Sequence, residues 1–192
     1  MDLTEIEKIL KKEANGKVKA SSKKFIPSAK NIYGVRTSVL NNIAGKIKET
    51  DFNLLEKLWK SKVFEEQLLA IKILANIAKR NPEQVIKFIN KFSKDISDWA
   101  VCDTLATQGI RKIAKDKQKE IFAFSKKYIL SKSLWQRRFA IVLLIELNRC
   151  GFDKKKIKKL AETVKDDKEL YVKKAIVWLD KELKNITKDR KK

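Results

Sequence analysis

Four alanines constrain this chain more than any other feature: Ala70, Ala106, Ala140 and Ala175 follow one another at 36, 34 and 35 residues, each inside a helical apolar pattern. The text around them repeats as well. SKVFEEQLLAIKIL, beginning at Ser61, and SKSLWQRRFAIVLL, beginning at Ser131, share Ser, Lys, an apolar lead residue and then Leu/Phe-Ala-Ile-x-Ile/Leu-Leu at an offset of 70. That offset is two units of about 35, the length of one helical hairpin per repeat. TLATQGI and KKAIVWL carry the intervening and the following copies. A small residue at a fixed place in each copy lets neighbouring helices approach closely. The pattern points to an all-α, superhelical array of HEAT-like antiparallel repeats, an α-α solenoid.

A pass along the chain agrees. Apolar residues recur at helical spacing over 2–13, 36–50, 64–80, 83–93, 98–113, 117–130, 134–149, 154–164 and 168–186, and nothing alternates like a strand. The breaks are short: Asn81-Pro82, Ser97 and Ser133 as N-caps, and Cys150-Gly151 closing a helix. Short loops make antiparallel neighbours. SSKKFIPSAKNIYG, 21–34, is the least regular stretch and turns the N-terminal helix onto the array, with a turn at Tyr33-Gly34. The expected organisation is one domain over 1–192: N-terminal helices and turn at 1–34, helical repeats at 35–187 and a basic tail at 188–192.

Charge narrows the partners. Lys and Arg number 46 against 24 Asp and Glu, a net charge of +22 spread from end to end, and polyanions are the natural ligands of such a surface. Lysine inflation through AT-rich codon use or heat adaptation is the bland alternative. Cys102 and Cys150 have no metal-ligand spacing and the chain has no His, which removes the usual zinc sites and His-based triads. Glycine-rich phosphate loops and a Gly-x-Ser-x-Gly elbow are missing too. No metal and no cofactor are expected. The N-terminal MDLTEIEKILKKEANGK is amphipathic and mixed in charge, and no stretch approaches membrane-spanning length, so the expectation is a cytoplasmic protein with no membrane partner.

Within SDWAVCDTLATQGI, Asp103 follows Trp99 by four residues, which places carboxylate and indole on one helix face that continues through Ala106 and Ile110. A carboxylate in an apolar stripe is paired, supports a local turn through Thr104 or Thr107, or works on a ligand. The other tryptophans divide. Trp59 and Trp135 read as packing between layers, while Trp99 and Trp178 are core residues unless the Asp gives them another role. Cys102 reads as a small buried side chain.

Four fragments, YGVRTSVLNNIAGKI, WAVCD, LWQRRFAIVLL and KKAIVWL, together give the chain a resemblance to the AlkD-type DNA alkylation repair glycosylases over nearly its whole length. No one fragment is specific; their order, spacing and repeat context are. The resemblance implies a concave DNA-binding groove lined by a Trp and an Asp four residues apart, an Arg early in a later repeat helix, and a further Trp. The matching residues are Trp99, Asp103, Arg138 and Trp178, with Arg137 beside Arg138 as the fallback. The family pattern also has a Tyr nine residues before the Gly of the YG turn, where this chain has Phe25. The implied activity is release of cationic alkylated purines such as 3-methyladenine and 7-methylguanine from double-stranded DNA.

The residue chemistry suits that activity. Cleavage of the weakened glycosidic bond develops positive charge on the deoxyribose, which a fixed Asp103 carboxylate would stabilise while positioning a water. Trp99 and Trp178 offer electron-rich faces to a cationic base or its sugar. Arg138 suits a backbone phosphate, and surface lysines add binding that falls steeply with salt. No Lys stands out as a Schiff-base nucleophile, so a monofunctional enzyme without lyase chemistry is expected, acting as a monomer. Two alternatives stay open: a noncatalytic family member binding damaged or branched DNA, toward which Phe25 and the shorter stretch after Trp178 point, and a protein-interaction scaffold with an acidic partner.

Overall fold

The structure, a computed structural model, describes residues 1–47, 49 and 52–189, with side chains described as far as Lys184. All eleven elements among these residues are α-helices, with no strand. Of the basic tail expected at 188–192, residues 190–192 lie outside the described residues. The chain forms two compact units, Met1–Val85 and Ile86–Lys192.

In the first unit, α1 (Leu3–Lys12) starts on a reciprocal cap: the Asp2 carboxylate accepts the Glu5 N–H at 2.9 Å and the Glu5 carboxylate accepts the Asp2 N–H at 2.9 Å. Ile6 and Leu10 form its buried stripe. Next come α2 (Gly16–Phe25), α3 (Thr37–Lys46), α4 (Phe52–Lys60) and α5 (Phe64–Ile77), with α3 and α4 packed on α5. Every residue from Phe64 to Leu74 is buried, as befits a helix surrounded on all sides. Trp59 is in this core, 2 % exposed.

The front turn is built around one carboxylate. Glu65, fully buried, accepts backbone N–H bonds from Tyr33 at 3.0 Å, Gly34 at 2.7 Å and Val35 at 3.1 Å, and Glu66 accepts the Tyr33 hydroxyl at 2.8 Å. Gly34 turns with φ +91°, and a Cβ there would lie 2.5 Å from the Asn15 carbonyl oxygen and 2.7 Å from the Lys19 N. Only glycine fits this close approach.

Two helices of the first unit differ from the sequence expectation. α2 runs through Phe25, so the irregular stretch begins at Ile26 rather than at Ser21; α2 buries none of its residues, and hence carries no apolar period to read. α4 falls between the expected helices, although Leu55, Leu58 and Trp59 give its nine residues a buried stripe.

After α6 (Pro82–Phe92), the second unit holds α7 (Trp99–Thr107), α8 (Gln118–Tyr128), α9 (Leu134–Arg149), α10 (Lys154–Glu162) and α11 (Leu170–Asp189). α9 is central: residues Arg138–Asn148 are all buried, and the helix packs against α7, α8, α10 and α11. Ala106, Ala140 and Ala175, one each on α7, α9 and α11, are fully buried, as is Ala70 on α5. The repeated small residue is therefore a core residue of each of these helices, and a larger side chain there would crowd its neighbours.

α7 is shorter than its apolar pattern. Its N-cap is Asp98, not Ser97, because the Asp98 carboxylate accepts the Val101 N–H at 2.8 Å. It stops at Thr107 rather than continuing to 113. The Gln108 N–H makes the last regular helical bond, to the Thr104 carbonyl; the Gly109 N–H goes to that same carbonyl instead of to Leu105, and turns follow as far as Lys117. Ser133 holds the N-cap position of α9 but makes no side-chain cap bond. Cys150 closes α9, with Gly151 at φ +80° and the Phe152 N–H returning to the Leu147 carbonyl at 3.0 Å. No helix among the described residues is long and apolar enough to cross a membrane.

Candidate active site

Five of the six side chains singled out from the sequence belong to the second unit. Asp103, at mid-α7, faces the start of α9. Arg138 donates from Nε to Asp103 Oδ1 at 2.8 Å and from Nη2 to Oδ2 at 2.7 Å, a two-point pair. Its Nη1 donates to the Tyr171 carbonyl at the start of α11, at 2.6 Å. One guanidinium thus ties three successive repeat helices. The Arg138 side chain is 8 % exposed and that of Asp103 18 %, so the Asp103 side chain keeps partial access to solvent. Burial pushes the Asp103 carboxyl up from its ordinary value, and the hydrogen bonds and charge of Arg138 oppose the shift.

Cys102 is fully buried and donates its Sγ–H to the Trp135 carbonyl at 3.6 Å; burial pushes its thiol well up, which keeps it protonated. The Trp135 ring lies 5.1 Å from that of Tyr171. Thr107 donates its hydroxyl to the Asp103 backbone carbonyl at 2.7 Å, and Thr104 to that of Ala100, also at 2.7 Å. Both threonine hydroxyls thus go to backbone carbonyls, not to the Asp103 carboxylate. Trp99, four residues before Asp103, is half-buried at the first position of α7.

Arg137 points elsewhere. It donates from Nε to Asp167 Oδ2 at 2.6 Å and from Nη2 to Oδ1 at 3.3 Å, while Nη1 reaches the carbonyls of Ser131 at 2.8 Å and Lys132 at 3.1 Å. This guanidinium closes the loops before α9 and α11. Burial raises the Asp167 carboxyl, but the bonds from Arg137 and the Glu169 N–H outweigh it and hold the group below its ordinary value. Trp178, half-buried on α11, donates its indole N–H to Glu182 Oε1 at 3.2 Å. Phe25 ends α2 in the first unit and is 66 % exposed.

Asp103 and Arg138 are 35 residues apart, which is the repeat period, and equivalent positions of adjacent repeats face each other. The same offset would have announced the pair from the sequence. Trp99, Trp135 and Tyr171 likewise follow at 36 residues, one aromatic at the start of each of α7, α9 and α11. Sequence reasoning misses Tyr171 because its contribution is a backbone carbonyl and a ring against Trp135, which residue chemistry alone does not signal. Among the described residues, no group of three or more Cys, Asp or Glu is placed to hold a metal.

No curated protein and no solved structure matches the chain. A family model does, over residues 6–192, and its description is DNA alkylation repair enzyme. With a match that leaves out only the first five residues, and an all-helical repeat architecture beneath it, the chain belongs to the family of DNA alkylation repair enzymes.

Proposed function

We propose that the protein is a monofunctional DNA glycosylase that hydrolyses the N-glycosidic bond of cationic alkylated purines, such as 3-methyladenine and 7-methylguanine, in duplex DNA. The observation that carries this reading is the Asp103 carboxylate: it is largely enclosed and paired at both oxygens with Arg138, while its side chain keeps partial access to solvent. A carboxylate in that condition is a preorganised counter-charge. As the bond from C1′ to the purine nitrogen breaks, its electron pair neutralises the base, and positive charge spreads over C1′ and the ring oxygen of the sugar. Asp103 stabilises that charge. A water then adds to C1′ and gives its proton to solvent, leaving an abasic site. The base departs without needing an acid, so a single carboxylate suffices.

Arg138 first orients Asp103 and favours its ionised form against the effect of burial. A guanidinium has more N–H donors than its three bonds here use, and these suit the phosphate beside the lesion. Trp99 lines the same face one helical turn before Asp103. Arg137, engaged with Asp167, is a structural clamp in this reading and not a phosphate ligand. No cofactor or metal takes part, and a monomer suffices. The lesion is recognised by charge and backbone rather than by sequence, within base excision repair.

A second reading follows from the same pair. Both Asp103 oxygens already accept bonds from Arg138, which also suits a noncatalytic member of the family that binds damaged or branched DNA. Incubation with methylated duplex DNA separates the two. Release of free methylated purine, lost in Asp103→Asn at equal binding, supports the glycosylase; binding without release supports the other.

A further inference from the structure

The ring of Trp178 already carries a cation. The Arg149 guanidinium carbon lies over the indole, 5.6 Å from its centroid. That guanidinium is not free to leave. Its Nη1 donates to Oε1 of the buried Glu146 at 2.5 Å, its Nε donates to Glu182 Oε2 at 3.3 Å, and its Nη2 pairs with Glu182 Oε1, the atom that also accepts the Trp178 N–H. Glu182 is anchored in turn, since its backbone carbonyl accepts the Asn148 amide N–H at 3.3 Å. Indole, guanidinium and two carboxylates form one closed network between the end of α9 and α11.

Beside the indole is an open depression of about 450 Å³ lined by Lys173, Lys174, Val177 and Lys181. Val177 is 53 % exposed, so the floor is apolar and the fringe cationic. The attraction of an exposed indole for a cation is about twofold to fivefold in affinity. Arg149 already occupies the ring, its own charge balanced by Glu146 and Glu182, and the three ammonium groups around the opening repel a second cation. Phosphates, by contrast, are drawn to the fringe, and any base or sugar finds an apolar face.

We infer that Arg149 and Glu182 are positioning residues that lock Trp178 as a charge-indifferent nucleotide grip, taking a stacked base or sugar with flanking phosphates on Lys173, Lys174 and Lys181, so that discrimination in favour of cationic lesions falls to the Asp103 side of the site. The inference rests on the proposed reading of the protein as a DNA-lesion enzyme, but its test reads binding and not base release.

The test compares affinity for three duplexes: unmodified, bearing a cationic alkylated purine on a 2′-fluorinated sugar that resists cleavage, and bearing the neutral isostere of that base. Trp178→Ala is expected to weaken all three by about fivefold or more, with their ratios unchanged. Arg149→Gln is expected to raise the preference for the cationic duplex by about twofold to fivefold, and to do so only while Trp178 is present; Arg149→Lys keeps the original ratio. Selective loss of the cationic duplex in Trp178→Ala, or no loss for any duplex, overturns the inference whether or not Arg149→Gln folds. An unchanged ratio in folded Arg149→Gln overturns it too. Failure of the glycosylase reading would show instead as absent base release, with these affinities still measurable.

Discussion

The two units each bury a helical carboxylate, and the two are held in opposite ways. Glu65, in the first turn of α5, is fully enclosed and takes three backbone N–H groups from the turn at Tyr33–Val35. Asp103, in the middle of α7, is held by the long side chain of Arg138 and keeps 18 % of its side chain exposed. Backbone donors cannot move without unfolding the turn, so Glu65 is committed to structure. A side-chain donor with partial solvent access beside it leaves room for a ligand. Depth of burial alone would have nominated Glu65; the kind of partner and the remaining access nominate Asp103.

Breaking each carboxylate should separate stability from activity. The largest effect is expected for Glu65→Ala. It leaves three N–H groups without an acceptor, two of them buried and each of those costing about 1–3 kcal/mol, so urea denaturation should show a loss on the order of 3 kcal/mol or more. Asp103→Asn should do the reverse, lowering single-turnover base release by about 100-fold while the protein stays folded and still binds DNA. Between the two in character is Ala140→Leu, which touches neither carboxylate but crowds its buried neighbours. It should cost about 1–3 kcal/mol in thermal or urea unfolding and reduce activity only through stability.

The smallest effect sharpens the comparison through pH. Because burial raises the folded-state carboxyl of Asp103 above its ordinary value of 3.8, the contribution of this group to stability is present below that value and is lost as pH rises through the folded one. The stability of wild type relative to Asp103→Asn should therefore fall as pH climbs from 3.8 and level off once the carboxyl is fully ionised. Urea titrations of both proteins at several pH values measure that difference.

Much of the fold was legible because it repeats. One alanine per 35 residues or so recurs inside a helical apolar pattern, and all four are fully buried. What escaped has physical reasons. α2 buries nothing and so has no apolar period, and α7 ends ten residues into its pattern's span, where the Gly109 N–H goes to the Thr104 carbonyl instead of to Leu105, a choice of hydrogen-bond partner that periodicity does not reveal. At the site, the WxxxD spacing identified Asp103 and Trp99, but not what Asp103 binds. The repeat period carried that answer in the 35-residue offset to Arg138, whereas the neighbouring Arg137, identical in local pattern, went to Asp167. Adjacent arginines on a helix point about 100° apart, and only the packing of α9 decides which one faces α7.

The most direct test of the account is base release from methylated duplex DNA at low salt by wild type and Asp103→Asn, with binding matched between them. The account predicts free 3-methyladenine or 7-methylguanine from wild type and about 100-fold less from the variant at equal occupancy. Equal release by both proteins, or none by wild type while it binds the duplex, would contradict it.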